Sequence, residues 1–447
     1  MTYRSLQRAN AYFYDLERRA ATVRRHGAIR YLSSGVNHLA APRVLREIAA
    51  EEMRARAFLA NYTAPGGALP VVAAVMMETQ ARLGPEARGL VRPANICLTV
   101  GATGALATGF RYLARHAPRR TALVLGLNYS FFSTICDENR LAYEILVSQE
   151  PHRILPTAAE AVARIAALQP GIVVLTQPTN PSGELYDAAD LGMVVAAVAD
   201  CGGWLVFDEV PNLALPGEPD LPTPVIDAKA GRFPERLLWI NSFSKSRSLA
   251  GLRIGFLVAP EEVAAHVRLE NERQLWSPVN VGTAALVCDL VLRGLCRGTP
   301  PRQYGRLLKL LAPYGDDFSR FDSVWRFIDG CTDWTAAGTS YRADLAETAR
   351  TCEDNFALFR NALAPFLEME IPAASGFNHC VRFAQDRGEW DFVRGVFDAA
   401  GIDFYTETVF ADHDDATQKR FWVRVSCAID RVVFAEGVER LAGYFAR

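Results

Sequence analysis

In the stretch NSFSKSRSLAGLRIGF, Asn241 to Phe256, one lysine and one arginine stand eight residues apart. Lys245 follows the apolar run LLWI and sits among serines; Arg253 lies between Gly251 and Gly255. A lysine in a loop is ordinarily a surface charge. Held behind a strand and near a second cation, it has a depressed pKa and forms Schiff bases. The arginine is always charged and fork-shaped, which suits a phosphate. Ser242 and Ser244 add hydroxyl donors, and the glycines let backbone pass close to a ligand. A compound with both a carbonyl and a phosphate satisfies both ends of the stretch. Pyridoxal 5′-phosphate (PLP) is such a compound.

Other residues suit the same chemistry. Asp208, in FDEV, ends an apolar run. By itself it reads as a helix cap or as a catalytic group. Asn180 stands in QPTNPSGEL, which by itself is a turn signal. TVGATGAL, 99–106, follows a strand-like run and opens a helical pattern. The free N–H groups of such a helix start make an anion site. A dinucleotide fingerprint is the rival reading of these glycines. The next glycine of that repeat would fall at Ala107, and the following run TALVLGLN carries no ribose-binding acid. Tyr129, in LNYSFF, offers a ring for stacking, with Phe131 and Phe132 as rivals. Arg424, in WVRVSCAI, suits a bidentate grip on a carboxylate or a strand-edge salt bridge.

Taken together, these motifs resemble the class I/II aminotransferases of PLP fold type I. The family's S-x-S-K and G-x-R-x-G stand here as SFSK and GLRIG. The resemblance runs over roughly 30–290 and 346–447. It implies that Lys245 carries the cofactor as a Schiff base. It implies that Ala102 and Thr103, with Ser242, Ser244 and Arg253, hold the phosphate. Asn180 would meet the phenolate oxygen, Asp208 the pyridine nitrogen, and Tyr129 the ring face. Tyr62, in NYTAPGGAL, would reach the phosphate of a partner subunit, which implies a homodimer with shared active sites. Arg424 would bind the substrate α-carboxylate, with Asn180 and Val36 on the substrate side.

The pattern departs from the family in three places. The usual D-E-x-Y reads DEVP, so Pro211 stands where a tyrosine hydroxyl donates to the phenolate. Proline donates from neither side chain nor backbone. The phenolate is then more basic, and the lysine–cofactor linkage keeps its proton to higher pH. The family's G-x-P-D reads GVNH, with Asn37 for proline, and its P-G before an aromatic reads TETVF. A stretch at 293–345, rich in arginine and aromatics, is additional. It includes Arg297, Arg302, Tyr304, Arg306, Trp325, Trp334 and Tyr341. It reads as a structural collar or dimer contact, or as a lid over a large or anionic substrate.

The elements that must position these residues are legible as runs. ICLTV, TALVLG, YEILV, IVVLT, WLVF, LLWI and IGFLV alternate with helical patterns. Such alternation predicts an α/β domain with a mostly parallel seven-stranded sheet between helices. Ligands bind at the carboxyl ends of strands in such sheets, where Asn180, Asp208 and Ser242 fall. A smaller α+β domain follows, from a long helix, the strand-like HCVRFA, a further helix and FWVRVSCAI. The expected division is an N-terminal arm and part of the small domain at 1–59, a large PLP-binding domain at 60–292, the insertion at 293–345 and the C-terminal small domain at 346–447. Residues 5–25 read as an amphipathic packing arm, with Leu6, Tyr12, Phe13 and Leu16 near helical spacing.

Composition narrows the function. The chain has 447 residues, of which 50% are apolar and 22% charged, enough for a sizeable core. A net charge of −2 without long charged runs argues against nucleic acid. No stretch reaches the roughly 18 apolar residues of a membrane span, and the start has no apolar signal region. Nine scattered cysteines without C-x-x-C suggest reduced thiols in a cytoplasm, and seven scattered histidines suggest no metal site. The expected protein is a PLP enzyme acting at the α-carbon of a small-molecule amino acid, an aminotransferase in the first instance. The alternative is a lyase or synthase that eliminates, replaces or joins carbon, with S-adenosylmethionine among its candidate substrates. A non-catalytic regulator is a third class, but such proteins carry a DNA-binding segment ahead of the PLP domain.

Overall fold

In the computed structural model the described residues are 4–54, 62–84, 89–213, 215, 221–224, 234–278, 281–299, 302–303, 305, 321–411 and 417–447. The seven apolar runs form β1 (Ile96–Val100), β2 (Thr121–Leu125), β3 (Ala142–Leu146), β4 (Ile172–Thr176), β5 (Trp204–Asp208), β6 (Leu237–Ser242) and β7 (Ile254–Val258). They make one sheet in the order β1-β7-β6-β5-β4-β2-β3. The pairs β2–β3, β2–β4, β4–β5 and β5–β6 are parallel. β7 runs antiparallel to both of its neighbours, β1 and β6.

The runs are apolar throughout because both sheet faces are covered. Successive side chains point to opposite faces. In β4, Ile172 and Val174 enter one core, with the helices Gly101–His116 and Glu261–Leu275. Val173 and Leu175 enter the other, with the helices Leu69–Leu83, Ala158–Leu168, Ala188–Asp200 and Thr283–Cys296. β5 and β6 alternate in the same way, which brings Asp208 and Ser242 to the sheet's carboxyl edge.

The second sheet is antiparallel: β8 (Leu367–Ile371), β9 (Asn378–Phe383) and β10 (Val423–Ser426), in the order β10-β9-β8. The N-terminal helices join this half. Ala9 and Phe13 enter its core, and Arg30 bridges to Ile402. The apolar stripe expected over 5–25 breaks at Asp15. Its carboxylate accepts from the Arg18 N–H at 2.8 Å and starts a second helix, Leu16–His26, so Leu16 is 82% exposed.

One 30-residue helix, Trp334–Leu363, spans both halves. Its Tyr341 and Leu345 join the core of the large sheet, and its Cys352, Phe356, Phe359 and Leu363 join the core of the small one. The expected boundary at 345/346 falls inside this helix. Among the described residues, no helix is long and apolar enough to cross a membrane.

Candidate active site

The carboxyl ends of β4, β5 and β6 open into a cavity of about 370 Å³ between the two sheets. Of the residues singled out in the sequence, Ala102, Thr103, Tyr129, Asn180, Asp208, Ser242, Ser244, Lys245, Arg253 and Arg424 all line it. Pro211 lines it too.

Lys245 sits in a single helical turn, Phe243–Ser246, directly after β6. Ser242 caps that turn by accepting from the Ser244 N–H at 3.0 Å. Burial, then the guanidinium groups of Arg424 and Arg253, push the Lys245 amine down to about 8, against a partial offset from Asp208. Asp208 ends β5, and its Oδ1 accepts from the Val210 N–H at 3.0 Å. Burial raises its carboxyl to about 6, with Glu209 adding to the rise and Val210, Lys245 and Thr176 opposing it. Glu209, fully buried behind it, is held by Arg82, by Trp239 Nε1 at 3.1 Å and by Asn241 Nδ2 at 3.2 Å.

The helix Gly101–His116 begins at the cavity without a side-chain cap. Its first N–H, that of Gly101, donates to the Arg253 carbonyl at 2.7 Å, and the N–H groups that follow are open to an anion. The Arg253 guanidinium lies alongside: a Cβ at Gly101 would stand 3.0 Å from Arg253 Nη2. Gly255 makes this packing possible. A Cβ there would meet the Gly101 backbone carbon at 2.3 Å and the Ala102 nitrogen at 2.6 Å. So Gly255 admits the helix start, not a ligand, and Gly251 has open space around it.

Arg424 projects from β10. Its Nη1 donates to Asn180 Oδ1 at 3.0 Å and its Nη2 to the Ser33 carbonyl. The guanidinium carbon lies 4.9 Å from the Phe410 ring centre and 5.6 Å from that of Tyr405. Burial lowers its pKa to about 10, which leaves it charged at neutral pH.

Val36 is half-buried and does not line the cavity, while its neighbours Ser34 and Gly35 do. The reason is Gly35, whose φ of +62° and lack of a side chain admit the Arg424 guanidinium; a Cβ would come within 2.8 Å of it. Tyr62 is 73% exposed and outside this chain's cavity. Of the rivals to Tyr129, Phe132 is fully buried in the core and Phe131 does not reach the cavity. None of the described residues of 293–345 lines it, and Tyr304 and Arg306 lie outside the described residues.

Sequence reasoning missed several contributors. Asn37, at the departure from G-x-P-D, donates through Nδ2 to the Lys245 carbonyl at 2.9 Å. Leu6, Asn10 and Tyr14 line the cavity from the N-terminal arm. Their i, i+4 spacing was visible, but polar Asn10 hides the stripe. The three-dimensional set fits PLP: an uncapped helix start beside an arginine, a buried carboxylate with a raised pKa, and an amine with a lowered one. Among the described residues no His, Cys, Asp and Glu cluster suits a metal.

This α/β architecture with a lysine and an aspartate at adjacent strand ends is that of fold type I PLP enzymes. The chain belongs to the class I and II aminotransferase family, whose model matches residues 31–288. It is 29% identical over 182 residues to a histidinol-phosphate aminotransferase of Aromatoleum aromaticum, covering 40% of this chain and 47% of that protein. It is 25% identical over 278 residues to a methionine aminotransferase of Escherichia coli, covering 61% and 67%. The chain thus spans about half to two thirds of the length of these two relatives. Among solved structures, the aspartate aminotransferase of Thermus thermophilus with maleate shares 18% identity over 99% of this chain and 98% of that one, with a TM-score of 0.69. The aspartate aminotransferase of Rhizobium meliloti shares 18% over 96% and 94%, with a TM-score of 0.70.

Proposed function

We propose that this chain is a PLP-dependent aminotransferase acting at the α-carbon of an amino acid through Lys245. The observation that carries the reading is the convergence of Lys245, Asp208 and Arg424 on one cavity with a lysine pKa of about 8. PLP supplies an aldehyde that condenses with amines and a protonated ring that takes up electrons from Cα. The N–H groups at the start of Gly101–His116, with Thr103, Ser244 and Arg253, bind the phosphate. Asp208 holds the proton on the ring nitrogen, and Tyr129 covers one ring face. Asn180, with Oδ1 accepting from Arg424, would offer its Nδ2 to the phenolate oxygen. Arg424 binds the α-carboxylate and so orients the Cα–H bond. Lys245 takes the Cα proton on Nζ as general base.

Pro211 favours a second reading. It lines the cavity without a hydroxyl to assist Lys245 in moving the proton. Elimination, replacement or carbon–carbon bond formation at the same site also begins with loss of the Cα proton to Lys245 but does not have to end with its delivery to the C4′ carbon of the cofactor. We further propose a cytoplasmic homodimer with shared sites. Support comes from the exposed Tyr62 and from nine free cysteines, seven of them buried, which suit a reducing compartment.

The test is visible absorbance of the PLP-loaded protein during addition of single amino acids and S-adenosylmethionine without a keto acid. Loss of the lysine-bound cofactor band with one amino acid, and its return with a keto acid, is the expected result. Unaided return with release of a new product would establish the second reading. A wild type without the band, or a Lys245→Ala variant that keeps it, would overturn the assignment.

A further inference from the structure

We propose that the wall supplied by the N-terminal helix is a side-chain subsite for a neutral, aromatic amino acid. This rests on the reading above that Arg424 takes the α-carboxylate, and it adds which side chain follows.

The helix Arg4–Phe13 brings Leu6 and Asn10 to the cavity on one face. Tyr14 continues the turn, its N–H bonded to the Asn10 carbonyl at 2.9 Å. Tyr405 packs on this helix, its ring centre 5.7 Å from that of Phe13, and with Phe410 it flanks the Arg424 guanidinium. A side chain leaving a Cα whose carboxylate is on Arg424 therefore meets these rings. The polar groups between them satisfy one another. Tyr405 Oη donates to Asn10 Oδ1 at 2.8 Å. The Asn10 amide nitrogen remains as a neutral donor.

Charge excludes the other substrate classes. Among the described residues, the charged side chains lining the cavity are Asp208, Lys245, Arg253 and Arg424. Arg253 has the phosphate, Arg424 the α-carboxylate and Lys245 the aldehyde. A side-chain carboxylate would face Leu6 and three aromatic rings without a cation, and burying it unpaired is costly. Arg19 lies 5.4 Å from the Tyr14 ring. Its guanidinium is committed to the Phe13 carbonyl at 3.2 Å and to Tyr31 Oη at 2.7 Å. A cationic side chain would find no free anion either, because Asp208, the one carboxylate among the lining residues, is given to the ring nitrogen. A neutral ring gains edge or offset contacts with Tyr14, Tyr405 and Phe410 and needs no counter-charge.

The experiment is calorimetric titration of the PLP-loaded protein with α-methyl amino acids, which have no Cα hydrogen to lose. The three ligands are α-methylphenylalanine, α-methylaspartate and α-aminoisobutyrate, the last with only a methyl group as side chain. Expected is that α-methylphenylalanine binds at least about tenfold more tightly than the other two. Tyr14→Ala should weaken it about three- to tenfold, the weight of one aromatic pair. Its effect on α-aminoisobutyrate should stay within about twofold, a difference that general damage to the 55%-exposed Tyr14 region would not give. Binding of α-methylaspartate equal to or tighter than α-methylphenylalanine overturns the proposal. So does an equal loss for all three ligands in Tyr14→Ala. If α-aminoisobutyrate binds but the phenyl ring adds nothing, the subsite fails and the carboxylate clamp stands. If none of the three binds, the amino-acid reading of the cavity fails first and takes this inference with it.

Discussion

Arg424 and Asn180 come from different domains and meet through an Nη1–Oδ1 hydrogen bond of 3.0 Å. The bond fixes both: the guanidinium for the carboxylate we propose it binds, and the amide for its proposed donor role at the cofactor. Arg424→Lys keeps the charge but loses the planar fork. Loss of one hydrogen bond to a charged group is worth about 1.5–3 kcal/mol, or about 10- to 150-fold in binding. Expected is a rise of that size in KM with a small change in kcat. Steady-state kinetics on the best substrate measures it, and Asn180→Ala in a double-mutant cycle should show coupling with Arg424→Lys.

The Lys245 amine, at about 8, has two cations among its causes after burial. In the protein freed of PLP, the rate at which Lys245 captures added PLP should rise with pH through about 8. Arg253→Gln removes a positive neighbour, which makes the ammonium form easier to hold. The midpoint should then move to higher pH. A midpoint unchanged by Arg253→Gln would leave burial and Arg424 to set it.

Gly255 lets the backbone of Gly101 and Ala102 lie directly on β7. A methyl at 255 must push that helix start away, since the atoms it meets are backbone. Gly255→Ala should weaken PLP binding, measured by equilibrium dialysis, by more than Gly251→Ala, whose Cβ meets open space. Equal effects would remove the helix start from the phosphate site.

The large sheet was legible because its strands are buried on both faces, so apolar runs such as IVVLT and LLWI mark them without alternation. Lys245, Asp208 and Asn180 were legible because each ends such a run or begins the loop after it. β8 was not: LEMEI alternates charge with apolar residues at the edge of a three-stranded sheet. The Asn10, Tyr14 and Tyr405 rim was also illegible, because its hydrogen bond joins residues 395 apart and only tertiary packing brings them together. The expected 345/346 boundary lies within helix Trp334–Leu363, which serves two cores, so its apolar pattern has no break there.

Glu389 is buried against Thr408, whose N–H and hydroxyl donate to Oε1 at 3.0 and 2.7 Å. Burial raises its carboxyl to about 7, with Thr406 and Thr408 opposing the rise and Glu407 adding to it. The folded state therefore holds a proton that the unfolded chain releases near 4.5. The stability this gives is fully present below pH 4.5 and is lost as pH rises through about 7. Glu389→Gln imitates the protonated form at every pH. It should leave the thermal midpoint unchanged at pH 4 and raise it at pH 8, by on the order of 2–3 kcal/mol in stability. Part of the slope should persist, because buried Asp403 is also raised to about 7. Equal midpoints at pH 8 would place the carboxylate's charge in a stabilised setting.

Tyr341 tests what the 293–345 stretch does. Its hydroxyl donates to Asp289 Oδ1, which also takes Arg247 Nε at 2.7 Å. Arg247 and Asp289 are both almost fully buried, and Arg247 follows Lys245 by two residues. Tyr341→Phe leaves a buried carboxylate one donor short, a loss of about 1–3 kcal/mol. The thermal midpoint should therefore fall. No described residue of 293–345 touches the cavity, so KM should stay within about twofold of wild type. That pairing is what a collar bracing the Lys245 loop from behind requires. A lid over the substrate would do the reverse: its loosening would raise KM and leave the midpoint nearly untouched.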